Sequence, residues 1–239
     1  MKERELGEAI GLADALELLQ AAFLFPSEQL ARALTDGSFR NDVEACLADA
    51  HVPEETIRAL CDDFSSLEGR DPVKLLARLR KGQSLLYVRQ AKGVAVFPYE
   101  SAFLHVQSGH EGAPALFRTL VTLDVESQMR EAGVVTKDSR TEPCDSVWNE
   151  LSFLSFLYGS LAQTLHEGSI MEDAEVWQAR IMRFWTEHGS VWLSAFFEAT
   201  QAQAAHLSHG TEYSLFARLG LAVIAIVEAD VIDRAAEAR

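Results

Sequence analysis

The chain has 239 residues, of which 36 are acidic and 21 are Lys or Arg, so its formal net charge is −15 at pH 7. This excess of acid argues against a sequence-independent nucleic-acid binder, which needs clustered basic side chains, and it favours cationic partners. The hydrophobic fraction of 48% and the charged fraction of 24% are those of a folded globular protein.

The ends of the chain and its cysteines indicate a cytoplasmic protein. Residues 1–5 alternate in charge where a secretory signal would be apolar. The longest apolar run, residues 219–227, is far shorter than the roughly 20 residues that a spanning helix needs. Cys46, Cys61 and Cys144 form no C-x-x-C pair, so we expect reduced, mostly buried thiols. We therefore expect a cytoplasmic chain that does not insert into a membrane by itself.

Helical periodicity dominates the first half of the chain. Apolar residues at three- and four-residue intervals predict a helix over residues 12–25, which Pro26 ends. Pro53 and Pro72 are placed to lie in the first turns of two further helices, with Asp71 as the N-cap of the second. Another helix is predicted to open at Pro114 and to end at Gly133, with four residues facing inward: Leu116, Leu120, Leu123 and Met129.

The second half is also predicted to be helical. Asp145 is placed to cap a long helix that reaches about residue 165 and is apolar on most of its circumference, which is typical of a central core helix. Further helices are predicted over residues 174–188, 190–206 and 213–234, and only residues 94–97 have strand character. The sequence therefore predicts an all-α fold, a single bundle of about nine to eleven helices.

One segment stands out as a candidate boundary. Residues 133–143 are rich in turn formers and charge, which is typical of a hinge-like linker. We expect one all-helical domain over residues 1–239, with an N-terminal part (1–132), this hinge, and a C-terminal part (144–239). Exchange of the C-terminal helices between two chains is a plausible route to a domain-swapped dimer, so a monomer and such a dimer both stay open.

Common enzyme motifs are absent from the sequence. It has no phosphate loop, no dinucleotide-binding glycine motif, no H-E-x-x-H and no G-x-S-x-G, so we expect neither catalysis nor a cofactor. The pairs His105/His110 and His206/His209 have no third metal ligand that the sequence places nearby, and no metal site is predicted. The basic cluster that includes Arg78 and Arg80 is most simply a solvated helix face, with phosphate binding as the alternative.

Two short segments contain carboxylate, hydroxyl and aromatic side chains that helix capping alone does not explain. The first is a proline-fixed turn that places a carboxylate, a hydroxyl and aromatic rings together: Tyr99, Glu100, Ser101 and Phe103. The second opens the predicted core helix: Glu142, Asp145, Ser146, Trp148 and Glu150. Helix capping alone would explain Asp145. It does not explain the two flanking glutamates, or a Trp whose indole N–H needs a partner.

The order of these segments resembles the TorD/DmsD/NarJ family. P-Y-E-S-x-F occupies residues 98–103, and E-P-x-D occupies 142–145 with a Glu five residues after the Asp. F-W-x-x-H-x-x-x-W-x-x-x-F follows at 184–196, and E-Y-S-L-F precedes the last apolar helix at 212–216. The likeness runs from about residue 10 to residue 230.

The resemblance implies a cytoplasmic, cofactor-free chaperone for molybdenum oxidoreductases. Such a protein binds the leader peptide of the apo catalytic subunit, commonly a twin-arginine leader, and holds the subunit until its cofactor is inserted. An arginine pair followed by an apolar stretch requires carboxylates beside an aromatic-lined groove. The signal-peptide-binding residues expected on this basis are Tyr99, Glu100, Ser101, Phe103, Glu142, Asp145, Ser146, Trp148, Glu150, His188 and Trp192.

Two alternatives and one departure accompany this interpretation. The family commonly has Asp-His where this chain has Asp145-Ser146, and Ser146 cannot titrate near neutral pH as a histidine does. His188 is either a packing residue or a ligand contact.

A NarJ-like adaptor would assemble a membrane-bound oxidoreductase that has no exported leader. A guanine-nucleotide-binding regulator would use the basic stretch at residues 74–92. The identity of the client stays open.

Overall fold

The computed structural model describes residues 2–88, 93–135, 142–168 and 171–237, and it confirms the all-α fold class. These residues contain no β-strand, and a π-helical turn, Trp185–Gly189, joins the ninth α-helix to the tenth. The eleven α-helices of the described residues are α1 (Lys2–Phe23), α2 (Glu28–Asp36), α3 (Ser38–Asp49), α4 (Glu54–Ser65), α5 (Pro72–Tyr87), α6 (Glu100–Gln107), α7 (Leu120–Glu131), α8 (Val147–Glu167), α9 (Met171–Phe184), α10 (Ser190–Ala205) and α11 (Thr211–Glu237).

The start of α5 has the N-cap and the first-turn proline that the sequence predicts. The Asp71 side chain accepts hydrogen bonds from the backbone N–H groups of Val73 (2.9 Å) and Lys74 (3.3 Å), and Pro72 occupies the first turn. Two of the otherwise unpaired N–H groups of the helix are thereby satisfied. Pro53 lies one position earlier than expected, because it is the N-cap of α4.

Two helices that the periodicity does not predict, α2 and α3, lie between Pro26 and Pro53. The side chain of Ser27 caps α2 by accepting from Leu30 N at 3.1 Å. Gly37 then both ends α2 and begins α3 at φ 87°, a left-handed conformation that costs Gly little. A single residue thus separates two short helices.

The predicted opening of a helix at Pro114 is wrong. α7 begins six residues later, at Leu120, and Thr119 is its N-cap. Residues 110–119 have no helix, and Arg118 has a left-handed φ of 57°. Because α7 turns Thr122, Val125 and Met129 inward, Leu120 and Leu123 are 87% and 51% exposed. Of the residues expected to face inward, Met129 is buried and Leu116 is half-buried.

The break expected at Gly189 is also absent. α9, the π-helical turn and α10 are continuous, and Gly189 has helical dihedral angles (φ −50°, ψ −50°). A Cβ atom on Gly189 would lie 2.6 Å from Cε3 of Trp185. The glycine is therefore explained by the approach of the Trp185 ring and not by a turn.

The hydrophobic core joins helices from both ends of the chain. α8 is buried on most of its circumference, as predicted, and its most extensive contact is with α1. α10 packs against α11, and α11 also contacts α1. A cluster of aromatic rings from α1, α5, α10 and α11 lies where these helices meet: Phe23, Tyr87, Phe196, Phe197, Tyr213 and Phe216.

Three further expectations concern the hinge, the cysteines and membrane spans. Residues 136–141 of the expected hinge lie outside the described residues. Cys46, Cys61 and Cys144 are unpaired and buried, as expected.

In the described parts of the chain no single helix has the length and apolar character to cross a membrane. One pair of helices, Glu3–Phe23 with Glu28–Asp36, meets that test jointly, although it is bent by 117°.

Candidate functional site

The two segments singled out in the sequence meet at the starts of α6 and α8. The backbone N–H of Glu100 donates to the carbonyl of Asp145 (2.8 Å), and Val147 N donates to the carbonyl of Pro98 (2.9 Å). Tyr99 and Ser146 form an isolated antiparallel bridge between these two contacts. Two turns that are more than forty residues apart in the chain are thus held side by side by their backbones.

Asp145 does not cap its own helix. Its Oδ2 accepts from the backbone N–H of Ser101 at 3.0 Å and so caps α6. The N-cap of α8 is Ser146, whose Oγ accepts from Asn149 N at 3.4 Å. The expectation that Asp145 caps the core helix is therefore wrong, because the carboxylate is drawn to the positive N-terminal end of a neighbouring helix.

Half-buried aromatic rings form the outer edge of the site. The Tyr99 and Trp148 rings meet edge to face with centroids 5.9 Å apart. The Trp148 side chain hydrogen-bonds the carboxyl group of Glu142, and the half-buried ring of Phe103 packs 5.8 Å from Trp192. Burial and the nearby charges of Glu142 and Asp145 raise the pKa of Tyr99 to about 12, so its hydroxyl stays protonated at neutral pH.

Buried carboxyl groups lie beneath this aromatic edge. Glu100, Asp145 and Glu150 are at most 2% exposed. Burial, and then the charge of Glu100, raise the pKa of Glu150 well above its usual value. Burial is also the main reason that the pKa values of Asp145 and Glu142 are raised. The site therefore concentrates acid groups that are costly to ionise without a cation.

Each of three carboxyl groups in this site has one bonded oxygen and one unpartnered oxygen. The bonded oxygens accept from protein N–H groups: Asp145 from Ser101, Glu150 from the Trp192 indole at 2.8 Å, and Glu142 from Trp148. The oxygens without a hydrogen-bond partner are Glu142 Oε1, Asp145 Oδ1 and Glu150 Oε1. Among the described residues, no Lys or Arg forms an ion pair with any of the three.

His188 connects the inner side of the site to α7. Its Nδ1 lies 2.8 Å from Oε2 of Glu100, and its Nε2 lies 2.9 Å from Oδ2 of Asp124. Burial lowers the pKa of His188, but the hydrogen bonds and charges of Glu100 and Asp124 outweigh burial and raise it. The residue belongs to the π-helical turn, a deformation that is frequent at functional sites.

The outer side of His188 belongs to a hydrogen-bonded cluster. Potential ligand atoms of Asp124, Glu187 and His188 lie within 4.8 Å of one another, which is close enough to share a metal ion. However, the Gln128 amide donates to both carboxylates, at 2.9 Å and 2.7 Å, and Arg183 donates to Glu187 at 3.0 Å. Because these donors already satisfy the carboxylates, the geometry favours a polar network over a metal centre.

All eleven residues expected in the site are brought together by the contacts above. Six of them are buried and hold the site from within: Glu100, Asp145, Ser146, Glu150, His188 and Trp192. The other five are half-buried and reach its outer edge: Tyr99, Ser101, Phe103, Glu142 and Trp148. Sequence reasoning missed Asp124, Gln128 and Glu187. The i, i+4 spacing of Asp124 and Gln128 was their only local signal.

The basic cluster at residues 74–81 is partly engaged within the fold. Arg78 donates to Oε1 of Glu212 at 2.8 Å, and the Glu212 side chain is fully buried. Arg80 donates to the carbonyl of Pro26 at 3.2 Å and lies over the Phe25 ring. These two arginines have structural partners, which leaves less of the cluster available for a phosphate group.

Comparison with known proteins gives one family match. Residues 54–198, more than half of the chain, match the family model described as nitrate reductase delta subunit. No curated protein matches the chain. The matched range contains the starts of α6 and α8 and the π-helical turn, and therefore all eleven site residues.

Proposed function

Because the chain belongs to the nitrate reductase delta subunit family, of the NarJ/TorD type of molybdoenzyme maturation chaperones, we propose that it binds the leader peptide of an apo catalytic subunit. In this proposal it acts in the cytoplasm and holds the subunit of a molybdopterin oxidoreductase for cofactor insertion, before export or assembly. It does so by binding alone, without catalysis or a cofactor of its own.

The observation that supports this proposal most strongly is the set of unpartnered carboxyl oxygens beside an aromatic edge. A guanidinium group carries five N–H donors in a planar fork, and carboxylates are its best-matched acceptors. Glu142 and Asp145 hold such acceptors next to the half-buried Tyr99 and Trp148; both oxygens are buried in this conformation, so a peptide reaches them by displacing the aromatic edge. The aromatic rings suit the apolar stretch that follows the arginines in a twin-arginine leader. The net charge of −15 would speed the encounter with a basic peptide.

The buried residues have a supporting role in this proposal. Glu100 is hydrogen-bonded to His188 and Glu150 to the Trp192 indole, so these four buried side chains already have partners within the protein. Their side-chain hydrogen bonds link α6 to the π-helical turn and α8 to α10, and so fix the position of the outer residues. A rigidly held set of acceptors binds with less loss of conformational entropy than a mobile one.

A second candidate is favoured by the description of the matching family. A nitrate reductase delta subunit suggests an adaptor that assembles a membrane-bound oxidoreductase without an exported leader. Binding of a catalytic subunit that lacks any leader would distinguish this adaptor from the first proposal. A guanine-nucleotide-binding regulator has less support, because Arg78 and Arg80 are engaged by Glu212, Pro26 and Phe25.

Isothermal titration calorimetry with a synthetic peptide tests the proposed site. The peptide carries paired arginines followed by an apolar stretch, and the variant is Glu142→Gln with Asp145→Asn. We expect the variant to bind at least about tenfold more weakly, because hydrogen bonds to charged groups are worth about 1.5–3 kcal/mol each. The matched control, Glu55→Gln with Asp62→Asn, removes the same two charges from exposed positions on α4 and should bind as the unaltered chain does. Undiminished affinity in the folded site variant would overturn the proposed site.

A further inference from the structure

Burying the negative charges of the Glu142 and Asp145 carboxyl groups has a cost that must be offset before a peptide binds. Asp145 is fully buried and Glu142 is half-buried, and each has one oxygen without a hydrogen-bond partner. An ionised carboxylate in this position carries a large desolvation cost, which either a cation or a proton can remove. Burial raises the pKa of both groups, in agreement with partial protonation of the free site.

Within the described ranges, the groups that face these two carboxyls include no Lys or Arg paired with either of them. From the start of α6 come Tyr99, Glu100 and Ser101, and from α8 come Trp148 and Glu150. The titratable groups of the π-helical turn are Glu187 and His188; the two ring nitrogens of His188 lie against Glu100 and Asp124. On α7, Arg130 is paired with Glu126, and the charges of both act on Cys144, next to Asp145. Among the residues that the structure describes, the groups that act on these two carboxyls are therefore neutral or acidic.

We propose that Glu142 and Asp145 exchange protons for the guanidinium group of the bound peptide, an inference that rests on the proposed function. In the free chain a fraction of each carboxyl carries its proton on the oxygen that lacks a partner. On binding, that O–H bond breaks, the proton passes to solvent, and the carboxylate oxygen accepts an N–H of the guanidinium. Each carboxyl that was protonated releases one proton, and the complex gains one favourable charge pair for each.

Glu150 takes no part in the exchange. It is fully buried next to Glu100, and burial and the charge of Glu100 raise its pKa well above the ordinary value. It therefore keeps its proton in both the free and the bound state. Its Oε2 continues to accept from the Trp192 indole, which a neutral carboxyl does as well as a charged one.

The exchange makes affinity depend on pH. Because the carboxyls of the free site hold protons that the complex does not, peptide affinity rises with pH until both are ionised in the free chain, and then levels off. The rise is at most about tenfold per pH unit for each proton released. Acidification would thus favour release of the client, and a neutral interior would favour its retention.

Calorimetry in two buffers of different ionisation enthalpy counts the protons released, at several pH values between 5 and 8. The probe is an N-acetylated, C-amidated peptide with paired arginines and an apolar stretch, without Asp, Glu or His, so that it does not itself titrate in this range. We expect proton release at the acid end of the range that falls toward zero as the pH rises, with affinity rising in parallel. Glu142→Gln with Asp145→Asn should abolish both effects, whereas Glu55→Gln with Asp62→Asn should keep them.

Different failures have different meanings in this experiment. Tight binding with constant affinity and no proton release across the range would overturn the exchange and leave the proposed function standing. Proton release that survives in the Glu142→Gln, Asp145→Asn variant would assign it to another group, such as His188, and would also overturn the exchange. A peptide that does not bind at any pH would contradict the proposed function itself. If the double variant does not fold, the single variant Glu142→Gln, at a half-buried position, should lose the share of proton release that belongs to Glu142 and keep that of Asp145; unchanged proton release in this variant would overturn the exchange at Glu142.

Discussion

Asp145 precedes α8 in the chain, yet its Oδ2 lies 3.0 Å from the backbone nitrogen of Ser101 and caps α6. Together with the backbone contacts between Glu100 and Asp145 and between Pro98 and Val147, this bond makes one structural unit of two separate sequence segments. It also leaves Oδ1 of Asp145 without a partner. The same side chain thus joins the two segments and offers an acceptor to a ligand.

The role of Asp145 as a cap predicts how two substitutions differ in stability. Asp145→Ala removes the acceptor for Ser101 N–H and should lower the free energy of unfolding by about 0.5–2 kcal/mol. Asp145→Asn keeps an acceptor oxygen for Ser101 N–H and removes a carboxyl whose pKa burial raises, so it should be at least as stable as the unaltered chain at pH 7. Urea denaturation at pH 7 measures both changes, with Asp71→Ala as a second helix-cap variant away from the site. Equal stability of Asp145→Ala and the unaltered chain would contradict the assigned cap.

The raised pKa of Glu150 should make the stability of the chain depend on pH. Its pKa in the folded chain is raised by burial and by Glu100, so between the unfolded and folded pKa values the native state holds more protons than the unfolded state. Stability from this group therefore falls as the pH rises above about 4.3, by at most about 1.4 kcal/mol per pH unit.

Glu150→Gln removes this dependence while keeping an acceptor for the Trp192 indole. We expect the variant to be more stable than the unaltered chain at pH 7, with a difference that shrinks toward pH 4.5. Urea titrations at several pH values give the two curves. Parallel curves across the range would show that Glu150 does not hold a proton in the folded chain.

His188 should titrate at a higher pH than an ordinary histidine. Glu100 and Asp124 raise its pKa despite burial, so its contribution to stability is fully present below about pH 6.5 and is lost as the pH rises through the folded value. Asp124→Asn removes one of the two charges. It should lower the pKa of His188 and should destabilise the chain more at pH 6 than at pH 8.

Nuclear magnetic resonance titration of the imidazole groups measures this pKa directly, with the His188 signal identified by its absence in His188→Gln. The exposed Asp62→Asn is the matched control and should leave the His188 signal unchanged. If Asp124→Asn does not change the pKa of His188, the contact between Nε2 and Asp124 does not form in solution.

Two glycines in helix interiors should respond oppositely to alanine. A Cβ on Gly11 of α1 would lie 2.5 Å from both Ala50 N and Cys46 O, where α1 crosses α3. Gly11→Ala should therefore destabilise the chain by roughly 1–3 kcal/mol. Gly159 of α8 has no atom within 4 Å of its would-be Cβ, so Gly159→Ala should stabilise the chain by up to about 1 kcal/mol. Thermal unfolding of the two variants tests the packing of α1, and equal shifts would contradict it.

Local signals account for the parts of the fold that the sequence predicts correctly. Asp71 and Pro72 satisfy the first N–H groups of α5 without help from elsewhere, and the apolar circumference of α8 reflects its burial against α1. The prediction failed where long-range contacts decide the outcome. α6 is capped from a residue 44 positions away, and no local pattern assigns Asp145 to it in preference to the adjacent α8.

The composition of the site could be predicted more fully than its internal arrangement. The motifs identify eleven residues that the fold brings together, but they do not separate the buried carboxyls from the half-buried edge. Asp124 was missed because α7 was expected to turn Leu120 and Leu123 inward, whereas it turns Thr122 and Val125 inward. That difference in helix rotation is set by tertiary packing, and it decides which α7 residues reach His188.

The most direct test of the account is to capture the tagged chain from its native host, grown without oxygen, and to identify the co-purifying proteins by mass spectrometry. We expect one large apo catalytic subunit of a molybdopterin oxidoreductase, recovered in much smaller amounts with Glu142→Gln, Asp145→Asn and lost when the subunit's leader is deleted. The control Glu55→Gln, Asp62→Asn should recover it in full. Recovery of no oxidoreductase subunit by the unaltered chain would contradict the assignment as its chaperone.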